Sequence, residues 1–294
     1  MIQVKNLTFS YTKKPFIQDM NFEVEEGEIF GFLGPSGAGK STLQKILLGM
    51  LPGYQGSAVV GGVECSKHDA EFYQDIGVDF EYSTIYEKLT AKENLEFFSS
   101  LYDTSGKTDG AQGGKKKRDL DELFAAVGLE NDADKRVSDY SKGMKSRLNF
   151  IKALVHEPKL LFLDEPTSGL DPANSRLMKD MILEEKRKGK TILLTTHNMQ
   201  DAAELCDRVA FIVGGQIYAL DTPHNLIMSK GAAKVTYTWL DDEMIEHSAS
   251  CDLLELSQDK RLKNLIAENR LQSIHSSEPT LNDIFIEITG RTLV

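Results

Sequence analysis

A run of residues, Gly34-Pro35-Ser36-Gly37-Ala38-Gly39-Lys40-Ser41-Thr42, has the types and spacing needed to hold phosphate. It matches the pattern G-x-x-x-x-G-K-[ST]. Gly34, Gly37 and Gly39 lack a Cβ, so the backbone can curl around a diphosphate and aim its N–H groups inward. Lys40 supplies a point charge for the β- and γ-phosphates, and the hydroxyl of Ser41 is suited to ligate Mg²⁺. The implied chemistry is binding of a nucleoside triphosphate. A second pair of groups, Asp164-Glu165, follows the apolar run Leu160-Leu161-Phe162-Leu163. Carboxylates at the carboxyl end of such a strand stand where ligands bind in open α/β sheets. Asp164 is suited to hold Mg²⁺ through water, and Glu165 to orient and deprotonate a water attacking the γ-phosphate.

Both groups need a sheet to hold them. Ile29-Phe30-Gly31-Phe32-Leu33 reads as a buried strand entering the loop, and residues 42–48 as a helix leaving it with its positive end toward the phosphates. Residues 2–9 alternate like a half-buried strand, residues 22–25 suggest another, and residues 76–80 a further one. From about 84 to 156 the pattern turns helical, with candidates at 93–101, 119–127 and 141–155. Strand signals return at 160–163, 191–195 and 208–213. Between the first two, Asp171 as N-cap, Pro172 at the first helical position and Gly189 as terminator predict a helix over about 172–188. Gly214-Gly215 reads as a hairpin turn before a strand at 216–220. Beyond it, 234–239 is strand-like and 259–269 helix-like. Residues 104–118 are Gly-rich and basic and read as a solvated loop. The alternatives there are contact of Lys115-Lys116-Lys117-Arg118 with anionic lipid headgroups, or with nucleic acid.

Composition bounds the partners. The 294 residues allow one large domain, or a domain with an appendage. A net charge of −11 argues against a broad footprint on nucleic acid. Cys65, Cys206 and Cys251 are scattered, which suits reduced cytosolic thiols better than a disulfide framework or a metal site. Met1 leads straight into strand-like sequence, so no signal peptide is expected. No apolar run approaches the roughly 18 residues that span a bilayer, so a soluble chain is expected.

Further motifs follow in order. Tyr140-Ser141-Lys142-Gly143-Met144 precedes Lys145-Ser146-Arg147, Ser168-Gly169-Leu170-Asp171 follows the carboxylate pair, and His197 follows the strand that ends at Thr195-Thr196. With them the chain resembles, over residues 2–223, the ATP-binding subunit of ABC transporters. In that family the first run is the signature, usually L-S-G-G-Q, the second is the D-loop, and the histidine is a switch. The resemblance implies an α/β fold: a RecA-like P-loop ATPase core with an antiparallel β part and an inserted helical subdomain at about 84–156. Residues 1–223 would form this ATPase domain, and 224–294 a small α+β accessory extension. The terminal run 278–286 resembles the tail of type II exporters tied to drug, antibiotic or lipid efflux. Lys142 and Met144 depart from the signature as in one branch of bacterial exporters, while Ser141 and Gly143 are kept.

The roles implied by the resemblance are specific. Glu165 and His197 would be catalytic. Tyr11 would stack on adenine, residues 34–42 would hold the phosphates, and Ser141 and Gly143 would touch ATP bound by a second subunit. Ser41, Asp164 and Glu81 would serve Mg²⁺. Glu81 stands where the family has Gln, and is either a substitute ligand or a loop acid near Tyr82. The cofactors would be ATP and Mg²⁺. The partners would be a second ATPase subunit and an integral membrane transporter subunit on the cytoplasmic face, with no nucleic acid. The alternative is a soluble ABC ATPase of DNA repair, translation or cofactor assembly. A P-loop GTPase or kinase is disfavoured, because neither class has the signature followed by the D-loop and switch histidine.

Overall fold

The computed structural model describes residues 1–81, 84–102, 118–230, 234–277 and 279–292. They divide into two compact units, Met1–Leu220 and Asp221–Thr292. In the first unit, strand β1 (Ile2–Phe9) buries Ile2, Val4, Leu7 and Phe9 on one face. Strand β2 (Ile17–Val24) pairs with it antiparallel. β2 starts earlier than its sequence pattern suggests, because Asp19 at φ 45 shifts the register and keeps Ile17, Met20 and Phe22 on the buried side. β3 (Ile29–Leu33) is buried along its whole length and feeds helix α1 (Lys40–Leu47). β4 (Gln55–Val60) and the short β5 (Val63–Glu64) complete a four-stranded sheet of order β2-β1-β4-β5. This hairpin was not legible in the sequence, since Gln-Gly-Ser precedes only Ala58 and Val60 as fully buried apolar residues.

The second sheet positions the chemistry. β6 (Ile76–Asp79) leads to α2 (Ala91–Leu101), α3 (Leu120–Ala126) and α4 (Lys142–Lys152) before β7 (Leu160–Asp164). α2 starts on a full capping box, Thr90 with Glu93, and α4 on Ser141. α5 (Pro172–Arg187), β8 (Thr191–Thr196), α6 (Met199–Leu205), β9 (Arg208–Val213) and β10 (Gln216–Asp221) follow. The six strands run in the order β10-β9-β3-β8-β7-β6. β9, β3, β8, β7 and β6 are mutually parallel, so the connections after β3, β7 and β8 leave from one edge. Leu33 is in register with Thr196, and Asp164 with Thr195. Phe30, Phe32, Phe162, Leu193 and Ile212 from this sheet join the β1 and β2 side chains in one core.

Of the Gly-rich basic stretch, residues 104–117, including Lys115, Lys116 and Lys117, lie outside the described residues, as does Tyr82. Arg118 is described, and its guanidinium makes a two-pronged bond to Glu185 of α5 at 2.9 and 3.0 Å. That engages the arginine inside the fold rather than toward a headgroup.

The second unit begins with α7 (Pro223–Lys230). β11 (Lys234–Leu240) is the centre of a three-stranded antiparallel sheet, flanked by β12 (Glu246–Asp252) and β13 (Leu271–Ser277). α8 (Lys260–Ala267) brings Leu262 and Leu265 against Tyr237. α9 (Leu281–Thr289), with a Thr280–Asp283 capping box, packs beside α7. β12 and β13 escaped the sequence reading because polar residues, Ser and His among them, fill much of both strands. Among the described residues, no helix is long and apolar enough to cross a membrane.

Candidate active site

The loop after β3 is a backbone cradle whose glycines are required by geometry. A Cβ on Gly34 would collide with the carbonyl oxygen of Ile212, and Gly39 sits at φ 113 as the N-cap of α1. This helix has a cap residue with no side chain to accept a cap bond, and its first turn holds no acidic residue. Its N–H groups and positive dipole end therefore remain for an anion. The helix begins at Lys40, slightly earlier than the sequence pattern suggested, since Gly39 is the last residue outside helical geometry. Lys40 is buried, and its ammonium donates to the carbonyls of Gly34 at 2.5 Å and Pro35 at 3.3 Å. Burial lowers its pKa, and the nearby Glu165, Asp164 and Glu81 carboxylates oppose that shift.

The two carboxylates are fixed by different neighbours. Ser41 Oγ donates to Asp164 Oδ2 at 3.3 Å, and Thr195 Oγ1 donates to Asp164 Oδ1. Glu165 is set apart by its backbone, at φ 52, a left-handed conformation costing about 1–3 kcal/mol for a residue other than glycine. That turn follows the end of β7 and presents the side chain to the phosphate loop. Its Oε1 lies 2.8 Å from His197 Nδ1 and 3.9 Å from the Lys40 ammonium. Its Oε2 accepts from Thr196 Oγ1 at 3.1 Å. Glu165 is thus a nearly buried carboxylate between two basic groups, with both oxygens engaged.

These groups surround a cavity of about 300 Å³ lined by Phe16, residues 36–42, Glu81, Asp164, Glu165 and His197. Tyr11 stands at its rim, 56% exposed, with its hydroxyl 3.0 Å from Thr42 Oγ1. Its ring meets Phe9 and Phe16 edge-on. Phe16, Thr195 and Thr196 were missed as site residues. An aromatic side chain within a polar connection is a signal for Phe16, but the threonines become visible only once β8 is paired with β7.

Glu81 also borders a second groove of about 320 Å³, together with Asp79, Lys142, Asn149, Glu165 and Ser168. Here α4 is tied to the end of β6. Asn149 donates to Asp79, and Lys152 donates to Asn149 Oδ1 at 2.7 Å and Thr84 Oγ1 at 2.5 Å. Burial pushes the Asp79 carboxyl up to about 7, against the pull of Lys152 and Asn149. Ser141 and Gly143 do not line the phosphate cavity of their own chain. Ser141 Oγ accepts from Met144 N–H at 3.3 Å, and Gly143 is small because a Cβ would press on the Asn174 side chain at 2.8 Å.

Among the described residues, no cluster of three or more His, Cys, Asp or Glu side chains could hold a metal ion unaided. A cation here would combine one hydroxyl, one or two carboxylates and ligand phosphates. That oxygen set fits Mg²⁺, which is usually held by one or two carboxylates and substrate phosphates rather than by a protein cage.

A family model described as ABC transporter matches residues 17–168. Over 295 aligned residues the chain is 46% identical to a fluoroquinolones export ATP-binding protein of Mycobacterium tuberculosis, covering 100% of this chain and 94% of that protein. It is 32% identical to the linearmycin resistance ATP-binding protein LnrL of Bacillus subtilis, covering 100% and 99% of the two chains. A solved ATP-binding subunit of an ABC transporter superposes with a TM-score of 0.68 at 29% identity, over 78% of this chain and 92% of that one. With the core sheet and the phosphate cradle, these likenesses define a P-loop ATPase of the RecA-like class. The chain belongs to the ABC transporter family, as an ATP-binding, ATP-hydrolysing subunit.

Proposed function

We propose that this chain hydrolyses ATP to drive export of a drug-like, antibiotic or lipid molecule through a separate membrane-spanning partner. The observation that carries the catalytic part is Glu165, held between Lys40 and His197 beside the phosphate loop. Lys40 would exchange its bonds to the Gly34 and Pro35 carbonyls for phosphate oxygens, while the loop amides take the rest of the diphosphate. Ser41, Asp164 and Glu81 would hold Mg²⁺. When bound, that ion neutralises charge on the β- and γ-phosphate oxygens. Glu165 accepts the proton of the attacking water. His197 orients the carboxylate through Nδ1, which leaves its other ring nitrogen for a γ-phosphate oxygen. Tyr11 offers its exposed ring to adenine.

The assembly reading rests on a separate observation. Ser141 and Gly143 begin a helix yet stand outside the phosphate cavity of their own chain. This supports their facing a nucleotide bound by a second copy, with two ATP molecules clamped in a dimer. Residues 1–223 would be the ATPase domain, and 224–294 an accessory extension that packs against or steadies the dimer. The relatives aligned along the whole chain are named for export or resistance, which favours a transporter over a soluble repair, translation or assembly ATPase. The membrane partner would hold the chain on the cytoplasmic face of the membrane.

Glu165→Gln should keep ATP and Mg²⁺ binding, slow hydrolysis by roughly 10²–10⁴-fold and accumulate the dimer. Near-parental turnover would show that another group is the base. Affinity capture from detergent-solubilised membranes should bring down an integral membrane protein in stable stoichiometry. Recovery of this chain alone, or with soluble partners, would reverse the transport reading.

A further inference from the structure

Asp201 is a buried carboxylate, 4% exposed, on α6, and it does not line the phosphate cavity. Its bonds nevertheless converge on both loops that carry the proposed chemistry. Oδ2 accepts from Thr167 Oγ1 at 2.7 Å and from Asn198 Nδ2 at 2.9 Å. Oδ1 lies 3.2 Å from the ammonium of Lys179 on α5, which also pairs with Glu204. Thr167 is two residues beyond Glu165, and Asn198 is the residue after His197. Asn198 is itself fixed, because its Oδ1 accepts the N–H groups of Gln200 and Asp201 to start α6. Its own N–H donates to Thr196 Oγ1, and that hydroxyl donates to Glu165. A closed circuit results, running Glu165, Thr196, Asn198, Asp201 and Thr167 and returning along the chain to Glu165.

The energetics make this circuit stiff. A buried carboxylate is tolerated only when it is paired and hydrogen-bonded, and Asp201 has three partners from three different elements. Losing one partner leaves the others with an unsatisfied charge, so the arrangement holds or fails as a unit. Glu165 needs such a support, since its left-handed backbone is strained and must be held by its surroundings.

We propose that Asp201 is a positioning residue for ATP hydrolysis, which sets the distance between Glu165 and His197 by pinning Thr167 on one loop to Asn198 on the other. The proposal rests on the reading of Glu165 as the base. It touches no phosphate ligand, so it separates turnover from nucleotide affinity.

The test uses the full chain in the assembly in which its ATPase is measured, with kcat, KM for ATP and thermal midpoint recorded for each variant. Thr167→Val is nearly isosteric and removes only the donated bond, while Thr167→Ser keeps it. Thr167→Val should lower kcat roughly 10- to 100-fold, the effect of a small misplacement of catalytic groups, with KM within about twofold on the same principle. Thr167→Ser should restore most of the loss. Asp201→Asn should lower kcat at least as much, and adding Thr167→Val to it should cost little more, because both break one connection. Parental kcat in Thr167→Val, or a loss that Thr167→Ser fails to restore, would overturn the proposal. So would a loss in Asp201→Asn matched by an equal rise in KM. Should Asp201→Asn fail to fold, the Val and Ser pair still decides. Glu165→Gln run in parallel distinguishes the readings: full activity there removes the base assignment, whereas its loss beside an active Thr167→Val removes only the role of Asp201.

Discussion

The N-termini of α1 and α4 solve the same backbone problem in opposite ways. Every helix start leaves N–H groups without intrahelical partners. At α1 the cap is Gly39 at φ 113, which has no side chain to satisfy those groups, and the first residue is a buried lysine. At α4 the cap is Ser141, whose hydroxyl already takes one of the N–H groups, and the serine is exposed. The first end leaves its N–H groups to backbone-directed ligands such as anions, and Lys40 donates to two carbonyls of its own loop. The second has one of its N–H groups satisfied within its own chain, by the Ser141 hydroxyl. Nucleotide affinity in a single chain should therefore belong to α1. The proposed contribution of α4 should appear only when a second copy brings its ATP to that helix end.

The sharpest way to break this contrast is Lys40→Ala. Two charge-assisted hydrogen bonds to phosphate would be lost, so ATP affinity should fall by roughly 100-fold or more. Equilibrium binding of a fluorescent ATP analogue reads the effect directly. Binding close to parental would mean that the α1 cradle does not set affinity.

Ser141→Arg probes the other helix. The isolated chain should bind ATP as before, because Ser141 is no part of its own phosphate cavity, yet the assembled protein should lose hydrolysis. Mixing Lys40→Ala with Ser141→Arg subunits should return activity, since one composite site per heterodimer is then intact. Heterodimers proven by mass but without ATPase activity would remove the case for a site shared between copies.

The smallest effect is expected at Glu81, which borders both the α1 cavity and the groove beside α4. Glu81→Ala should leave basal hydrolysis within about tenfold, or 1.4 kcal/mol, but blunt its stimulation by a reconstituted membrane partner. Glu81→Gln should change little, because an oxygen ligand is kept. A basal loss as large as that of Glu165→Gln would make Glu81 part of the chemistry and not of the coupling.

Much of the candidate site could be proposed before any fold was known, because it is local in the chain. The phosphate loop, the Ser141 cap and the Asp164-Glu165 pair each lie within a few consecutive residues. Their behaviour follows from missing Cβ atoms, a side-chain cap and an apolar strand. The central strands were legible for the same reason, with β3, β7 and β8 buried along their whole length. The antiparallel β4–β5 hairpin and the outer strands β12 and β13 were not. Most of their side chains are polar or small, and packing more than intrinsic preference makes them strands.

Other features required the assembled sheet. Thr195 and Thr196 contact Asp164 and Glu165 because parallel pairing puts β8 beside β7 in one particular register. Phe16 reaches the cavity because of where the connection after β1 lies; its polar neighbours along the chain mark it as unusual, but only the fold places it at the site. Asp201 is an ordinary acid in a short helix until the fold surrounds it with Thr167, Asn198 and Lys179, separated from it by up to 34 residues. Chemistry carried by consecutive atoms is written in residue order, whereas distances between segments depend on register and burial, which the chain acquires only by folding.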